Sequence, residues 1–563
     1  MVTARELSLG LEQTRMKLNK AITITLILIF VGINLFTRFY GLENSPASLG
    51  FDEAALGYNA YSLSKTGRDE WGYRLPLSLR SFNDYKPALY SYLAVPFVRV
   101  FGLSQASTRM PSAFLGTISA LFTLLILKQL TKSKGLPVII AALFVTLSPW
   151  RLHFSRVALE TNISSSFFVI MAWCLINRHK NRLYRLGVVL FGLLSIYSYH
   201  SARLAVPILI VLVAIDSKKK IIANAFLVLS ILVLSLPIFA ANGLSVMTRF
   251  SQTNLFSHFY PYSPMEVIGA ANPWLSLTNH PLYYLTGHLF GRIVAYLSPS
   301  NLSVTIYPWV AKSAMVIIDN GMLGFLGSLF FIIGLISLLR RVRKNANLRL
   351  LLYWIIAGAL PAALTWEWFH PFRALNLFPA LDLIAALGLL RLFGKIFSFK
   401  SVILKTSALL GLLVILVMSV LFNWLNEINY SVWENNGEFQ PGGFREGTTL
   451  LMSLADKYPV IYVDTPHAQS YIFFLLYGKL DPKIIQETNR QYRLPEGFPS
   501  SVFNFGKFVY KKFNWPGDRF SHNYIYYTQS EIKEEEYQDV AGTALYKVID
   551  PFGRWTATII TKD

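Results

Sequence analysis

Eleven apolar runs, near residues 21–39, 111–128, 136–150, 162–177, 185–199, 204–215, 221–240, 314–339, 350–366, 374–393 and 402–424, restrict this chain more than any other feature. A run of ~20 apolar residues matches the hydrocarbon thickness of a bilayer, and in lipid the backbone satisfies its hydrogen bonds only as a helix or a closed barrel. The expected fold class is a polytopic α-helical membrane protein of about eleven transmembrane helices. Hydrophobic residues make up 53% of the chain and charged residues only 15%, which excludes an ordinary soluble protein.

The loops between these runs test the count. Short cytoplasmic loops collect Lys and Arg, and here every second loop is basic: 128–135 holds three Lys, 178–185 four Lys/Arg, 216–220 three Lys, 340–349 five Lys/Arg and 391–400 three. A missing or extra span would break that alternation. The pattern predicts a cytoplasmic N-terminus, entered through Arg15, Lys17 and Lys20 and retained as an uncleaved first span. It predicts outer loops at 40–110 and 241–313, and an extracytoplasmic tail. We expect two domains, 1–424 in the membrane and 425–563 outside it.

The tail has a different texture. Strand-like runs at 460–463, 524–527 and 556–560, with turn signals at Pro441-Gly442-Gly443 and Pro516-Gly517-Asp518, predict a small α/β domain. The apolar run 471–477 is too short to span and is expected as a buried helix of that domain. The formal charge of +21 does not indicate nucleic acid. From residue 425 onward there are 14 Lys/Arg against 17 Asp/Glu, so the basic excess belongs to the membrane part. The single cysteine, Cys174, lies in an apolar run and argues against disulfide or redox chemistry.

Chemistry-bearing residues gather in the outer loops. Ser48-Leu49-Gly50-Phe51-Asp52-Glu53-Ala54-Ala55-Leu56-Gly57-Tyr58 sets two carboxylates just outside the first span, on a segment whose apolar residues recur at helical spacing and suit a membrane surface. An acidic first turn facing the positive end of a helix would account for the same pair. Glu53 should point about 100° away from Asp52, suiting it to position an acceptor, orient a loop through an Arg, or cap the helix. The loop continues through Arg80-Ser81-Phe82-Asn83-Asp84-Tyr85-Lys86-Pro87-Ala88-Leu89-Tyr90 to Phe101-Gly102-Leu103-Ser104 and Ser107-Thr108-Arg109-Met110-Pro111-Ser112-Ala113. The second outer loop is dense in Tyr260, Tyr262, Trp274, His280, Tyr283, Tyr284 and Trp309, consistent with interfacial segments and a partly membrane-associated lid.

These three features in order, an Asp-Glu pair after the first span, a Lys-Pro-x-Leu-Tyr segment and a Phe-Gly…Arg-x-Pro-Ser-Ala entry to the second span, resemble the polyprenyl-phosphate-sugar-dependent glycosyltransferases of the GT-C superfold. The likeness is to the protein O-mannosyltransferase and aminoarabinose transferase group, and is strongest over residues 20–200. Pro371-Phe372-Arg373-Ala374-Leu375 and Pro379-Ala380-Leu381 extend it to the tenth span. The resemblance implies transfer of a hexose or pentose from a polyprenyl-phosphate carrier to an extracytoplasmic acceptor, whether a lipid A or other glycan or a protein hydroxyl, in the inner membrane. Asp52, with Glu53 beside it, is the expected catalytic group. A carboxylate beside the anomeric carbon can take the acceptor's proton, and one base suffices for an inverting displacement because a phosphate leaves without protonation.

Lys86 resembles the family lysine that contacts the lipid phosphate, and Arg373 the phosphate arginine, though snorkelling at a membrane boundary explains either residue as well. Asp84 is the second acidic candidate, holding Lys86 or a sugar hydroxyl, or else forming a turn. Arg156 and Arg203, with Arg151 and Glu160, are further candidates on the same side. His370 lies near that face, as do His153, His200, His258, His280 and His288. None of them makes a His-x-x-x-His pair, and neither Asp-x-Asp nor a Gly-rich phosphate loop is present, so a nucleotide sugar is the less expected donor. No cofactor is assigned, and a divalent metal held by distant loops stays open. The alternative is a transporter or a flippase for lipid-linked sugars, which would predict mirrored halves and mid-membrane charges; no internal repeat is found.

Overall fold

The computed structural model describes residues 4–82, 84–133, 135–216, 225–239, 281–304, 321–365, 367–433, 442–492, 504–518, 522–530, 542–551 and 553–563. Each of the eleven expected spans meets a helix. The first span is the C-terminal half of α1 (Ala4–Phe39). The next helices are α4 (Gln105–Thr131), α5 (Leu136–Thr146), α7 (Glu160–Asn177), α8 (Arg182–Ser198) and α9 (Ala202–Asp216). They continue with α10 (Ala225–Phe239), α13 (Gly324–Arg341), α14 (Ala346–Ala363), α15 (Phe378–Phe397) and α16 (Val402–Trp433). Among the described residues, five stretches are long and apolar enough to cross a membrane by length and composition alone: Ala21–Phe39, Gln105–Thr131, Gly324–Lys344, Ala346–Ala363 and Val402–Asn429. The other six helices run from 11 to 20 residues.

Between α1 and α4 lie α2 (Phe51–Thr66), an antiparallel hairpin of β1 (Ser78–Ser81) and β2 (Asp84–Pro87), and α3 (Leu89–Phe101). The short α6 (Pro149–Phe154) follows α5. Of the second outer loop the structure describes α11 (Pro281–Leu297) and α12 (Pro299–Ser303). Tyr260, Tyr262, Trp274, His258, His280 and Trp309 lie outside the described residues.

Beyond α16 come α17 (Phe444–Leu454), β3 (Val460–Asp464), α18 (Tyr471–Tyr477), α19 (Pro482–Tyr492), β4 (Phe508–Tyr510), β5 (Tyr524–Thr528), β6 (Thr543–Ile549) and β7 (Trp555–Lys562). The strands form one sheet in the order β4-β3-β5-β7-β6, with β4, β3 and β5 parallel and β7 antiparallel to both β5 and β6. The three expected strand runs are β3, β5 and β7, and the run 471–477 is the buried helix α18.

Among the described residues two large apolar cores result, beside a small cluster of Tyr524, Tyr526 and Ile560 in the C-terminal sheet. One fills the helical bundle. The other is shared by α2, the hairpin, α3 and the C-terminal layer, with Phe51 against Phe473 at 4.9 Å and Phe473 stacked on Phe444 at 4.7 Å. This corrects the reading of α2 as a segment resting on a membrane surface. Phe51, Ala54, Ala55 and Tyr58 are all buried, and what covers this helix is protein, α3 and α4 together with the C-terminal layer, rather than lipid. Gly57 allows this, because a Cβ there would overlap the Thr108 hydroxyl on α4.

In the bundle, α13 and α15 touch backbone to backbone. A Cβ added at Gly388 would overlap the Phe330 carbonyl oxygen, and one at Gly334 the Ile384 carbonyl oxygen. Small residues at such crossings let dispersion contacts between backbones replace the hydrophobic drive that lipid does not supply. Gly388→Leu is therefore expected to force the two helices apart and to cost at least ~1–3 kcal/mol. The measurement is the thermal unfolding midpoint in detergent, with Gly394→Leu, where a Cβ meets nothing within 4 Å, as the tolerated comparison.

Candidate active site

The N-terminus of α2 is built around Glu53. Its carboxylate accepts from the backbone N–H of Gly50 (2.9 Å) and of Ala158 (2.7 Å), and from Arg109 Nε (3.0 Å) and Nη2 (3.3 Å). Both side chains of this ion pair are fully buried. Arg109 spends its remaining N–H groups on the carbonyls of Leu42, Pro46 and Ser48. One guanidinium thus fixes the path of residues 42–48 and ties it to the first turn of α2. Of the roles open to Glu53 in the sequence, the geometry gives it those of capping the helix and orienting the loop.

Asp52 faces the other way. Its side chain is 48% exposed, and its carboxylate pairs with the ammonium of Lys86, which is only 7% exposed. Lys86 reaches it from β2, with its Nζ also 5.2 Å from the centre of the Phe82 ring. Asp84 opens the same strand, paired in register with Ser81; its side chain lies outside the described residues.

Arg156 is buried and structural in its contacts. It donates to the carbonyls of Thr37, Tyr40 and Ser45 at 2.8–2.9 Å and faces Glu427 of α16 at 3.7 Å. Glu427 also meets His153 Nδ1 at 3.1 Å. Nearby, Arg151 pairs with Asp382 at 3.4 Å and donates to Ser119. Arg373 sits on the turn before α15, where its Nη2 is 2.9 Å from Glu367, and His370 Nε2 approaches the same carboxylate at 3.4 Å. Arg203 stacks over Phe239 at 5.5 Å.

These residues form two groups joined by the segment 154–158. Ala158 N–H holds Glu53, and Phe154 packs edge-on against Phe372 at 5.6 Å, next to Arg373. That segment of the chain therefore touches the immediate neighbours of both groups. The sequence reading named Arg109 only within the entry motif of the second span, with no role, and passed over Glu427 and Glu70. Glu427 had a signal, as the one acid within the apolar helix α16. Among the described residues no group of three His, Cys, Asp or Glu converges as a metal would require.

A second buried carboxylate supports the site from outside. Glu70 is enclosed between the hairpin and α18 and accepts from Ser81 Oγ (3.2 Å) and Tyr471 OH (3.4 Å). Burial, with the neighbouring Asp69 charge adding to it, pushes its carboxyl up to about 8. Burial pushes Asp69 up to about 6 against the hydrogen bonds it accepts from Tyr73 and Trp71.

Residues 85–244 match the family of dolichyl-phosphate-mannose-protein mannosyltransferases, a stretch that begins at Tyr85-Lys86-Pro87. Among solved structures the chain is similar to ArnT from Cupriavidus metallidurans bound to undecaprenyl phosphate, with a TM-score of 0.53 and 13% identity over 95% of this chain and 97% of that one. The apo state of the same protein aligns with a TM-score of 0.52, 12% identity and the same coverage. The archaeal oligosaccharyltransferase AglB from Archaeoglobus fulgidus, in complex with an inhibitory peptide and a dolichol-phosphate, aligns with a TM-score of 0.50 and 14% identity over 82% of this chain and 64% of that one. No curated protein matches the sequence. The GT-C type of fold expected from the sequence is thereby shown, and the family match adds a likeness to mannosyltransferases over residues 85–244.

Two outcomes follow from the buried charges. Arg109→Leu leaves Glu53 buried without its cation and is expected to cost about 3–5 kcal/mol, read as a lower unfolding midpoint; a variant as stable as the parent would remove the pair from its supporting role. For Glu70, the folded chain keeps a proton between the ordinary carboxyl value of 4.5 and about 8 that the unfolded chain releases. Stability from this group is complete below that window and declines as pH rises through it. Glu70→Gln is expected to flatten the fall of the unfolding midpoint across that range.

Proposed function

We propose that this chain transfers a hexose or pentose from a polyprenyl-phosphate carrier to an acceptor hydroxyl on the outer side of the membrane, with Asp52 as general base. The observation that carries the reading is a half-exposed carboxylate held against a nearly buried lysine at the start of α2. Lys86 binds the carrier phosphate as a point charge, and Arg373, with its planar fork, is the second phosphate ligand. Asp52 then takes the acceptor's proton as its oxygen attacks the anomeric carbon. The carrier phosphate leaves as an anion on the opposite face of the ring, so the anomeric configuration inverts. Glu53 and Arg156 act by fixing the loop that presents Asp52. His370 stays with Arg373 at the phosphate end, Arg203 borders the acceptor side, and Asp84 is proposed at a sugar hydroxyl beside Lys86. The membrane is the plasma membrane, with the N-terminus inside and residues 425–563 outside, as the alternation of basic loops supports.

Asp52→Asn keeps the shape and removes the base. The expected result is unchanged binding of the polyprenyl-phosphate sugar with transfer reduced by about 10²–10⁴-fold, measured as consumption of donor lipid by mass spectrometry. Lys86→Ala should instead weaken donor binding. Transfer at the parental rate by Asp52→Asn would falsify the base assignment, and translocation of the lipid without transfer would favour the flippase reading.

A further inference from the structure

A cavity of about 1230 Å³ opens at the other end of the bundle. α4 begins beside residues 43–47, near Asp52, and contributes Leu130 and Thr131 to this cavity at its far end. At 1.5 Å per residue the two sites are about 40 Å apart. The cavity lies beside the Gly334–Gly388 crossing, lined by the later residues of α13 and α15 and by the first turn of α14.

Its chemistry has two parts. Arg340, Arg341, Lys344, Arg391 and Lys395 stand around it, and no acidic residue is among its lining. Among the described residues none of the five forms an ion pair. Leu338, Leu348 and Leu390 give the walls an apolar surface. A positive-inside bias accounts for cations at this end of the helices, but not for a cavity that gathers them from the ends of two separate helices over an apolar floor. The volume exceeds the ~300–1,000 Å³ typical of small-molecule pockets, and basic pockets between helices at the cytoplasmic surface suit anionic lipid headgroups.

We propose that this cavity binds an anionic glycerophospholipid of the inner leaflet, with the headgroup phosphate among Arg341, Arg391 and Lys395 and the first acyl carbons against the leucines. The site is separate from the Asp52 region and does not depend on the reaction assigned there.

The test uses the full-length protein in phosphatidylcholine nanodiscs with added dioleoyl phosphatidylglycerol, read by retained lipid in native mass spectrometry and by the unfolding midpoint. The wild-type chain should retain phosphatidylglycerol over phosphatidylcholine. At about 1 kcal/mol per cation, Arg391→Gln or Lys395→Gln alone should weaken retention about fivefold, and the triple change with Arg341→Gln at least tenfold. Both single changes fall on exposed side chains, which spares folding. Arg391→Lys should keep the binding. Arg182→Gln with Arg185→Gln, which removes charge from another basic loop, should leave it unchanged. The proposal is overturned by equal retention in the triple variant, by an equal loss in the Arg182/Arg185 control, by inorganic phosphate reproducing the stabilisation, or by polyprenyl phosphate being the lipid retained.

Discussion

The fully buried pair of Glu53 and Arg109 is the contact on which the outer face depends. Two neighbouring carboxylates, identical in chemistry apart from one methylene, are assigned opposite tasks by direction alone. Glu53 turns inward and is saturated by two backbone N–H groups and a guanidinium. Asp52, about 100° round the helix, is left half exposed at the opening. Since Arg109 also holds the carbonyls of residues 42, 46 and 48, the direction in which Asp52 points is fixed by α4 and not by α2 itself.

The same device recurs deeper in the bundle. Glu427 binds His153 and Arg156, Arg156 collects the carbonyls at the end of α1, and Arg38 joins Asn34 to the Thr146 carbonyl. Where lipid offers no water, a helix end or a bend needs a partner from protein. Each of these arginines serves several carbonyls that no regular helix could satisfy. The C-terminal layer completes the enclosure. Tyr58 donates to the Leu480 carbonyl, Gln486 Nε2 binds Ser62, Thr66 and the Asp69 carbonyl, and Asn489 reaches the Trp71 carbonyl. The segment from Leu480 through α19 is thus part of what holds α2 in place.

What the sequence disclosed and what it concealed divide by the range of the interaction. Spans and strands could be read because their signal is local, twenty apolar residues or an alternating run. Asp52 and Lys86 were legible as types of residue in an outer loop, and Arg373 as a cation at a span boundary. Their surroundings were not. Glu53 meets Arg109 across 56 positions and His153 meets Glu427 across 274, and no periodicity records such pairs. The burial of α2 was misread for the same reason. An amphipathic segment states that one face must be covered, not whether lipid or protein will cover it.

The Asp52–Lys86 pair bears on the order of events in the proposed reaction. In the structure the lysine holds the carboxylate. In the proposed reaction a carrier phosphate competes for that lysine with greater charge and more acceptor oxygens. An ammonium that turns to the phosphate releases the carboxylate oxygen it held, at the moment when a sugar stands beside it. Access of the acceptor hydroxyl to that oxygen is then tied to the binding of the donor, and the near-burial of Lys86 strengthens the coupling, since charges shielded from solvent are felt more strongly by their neighbours.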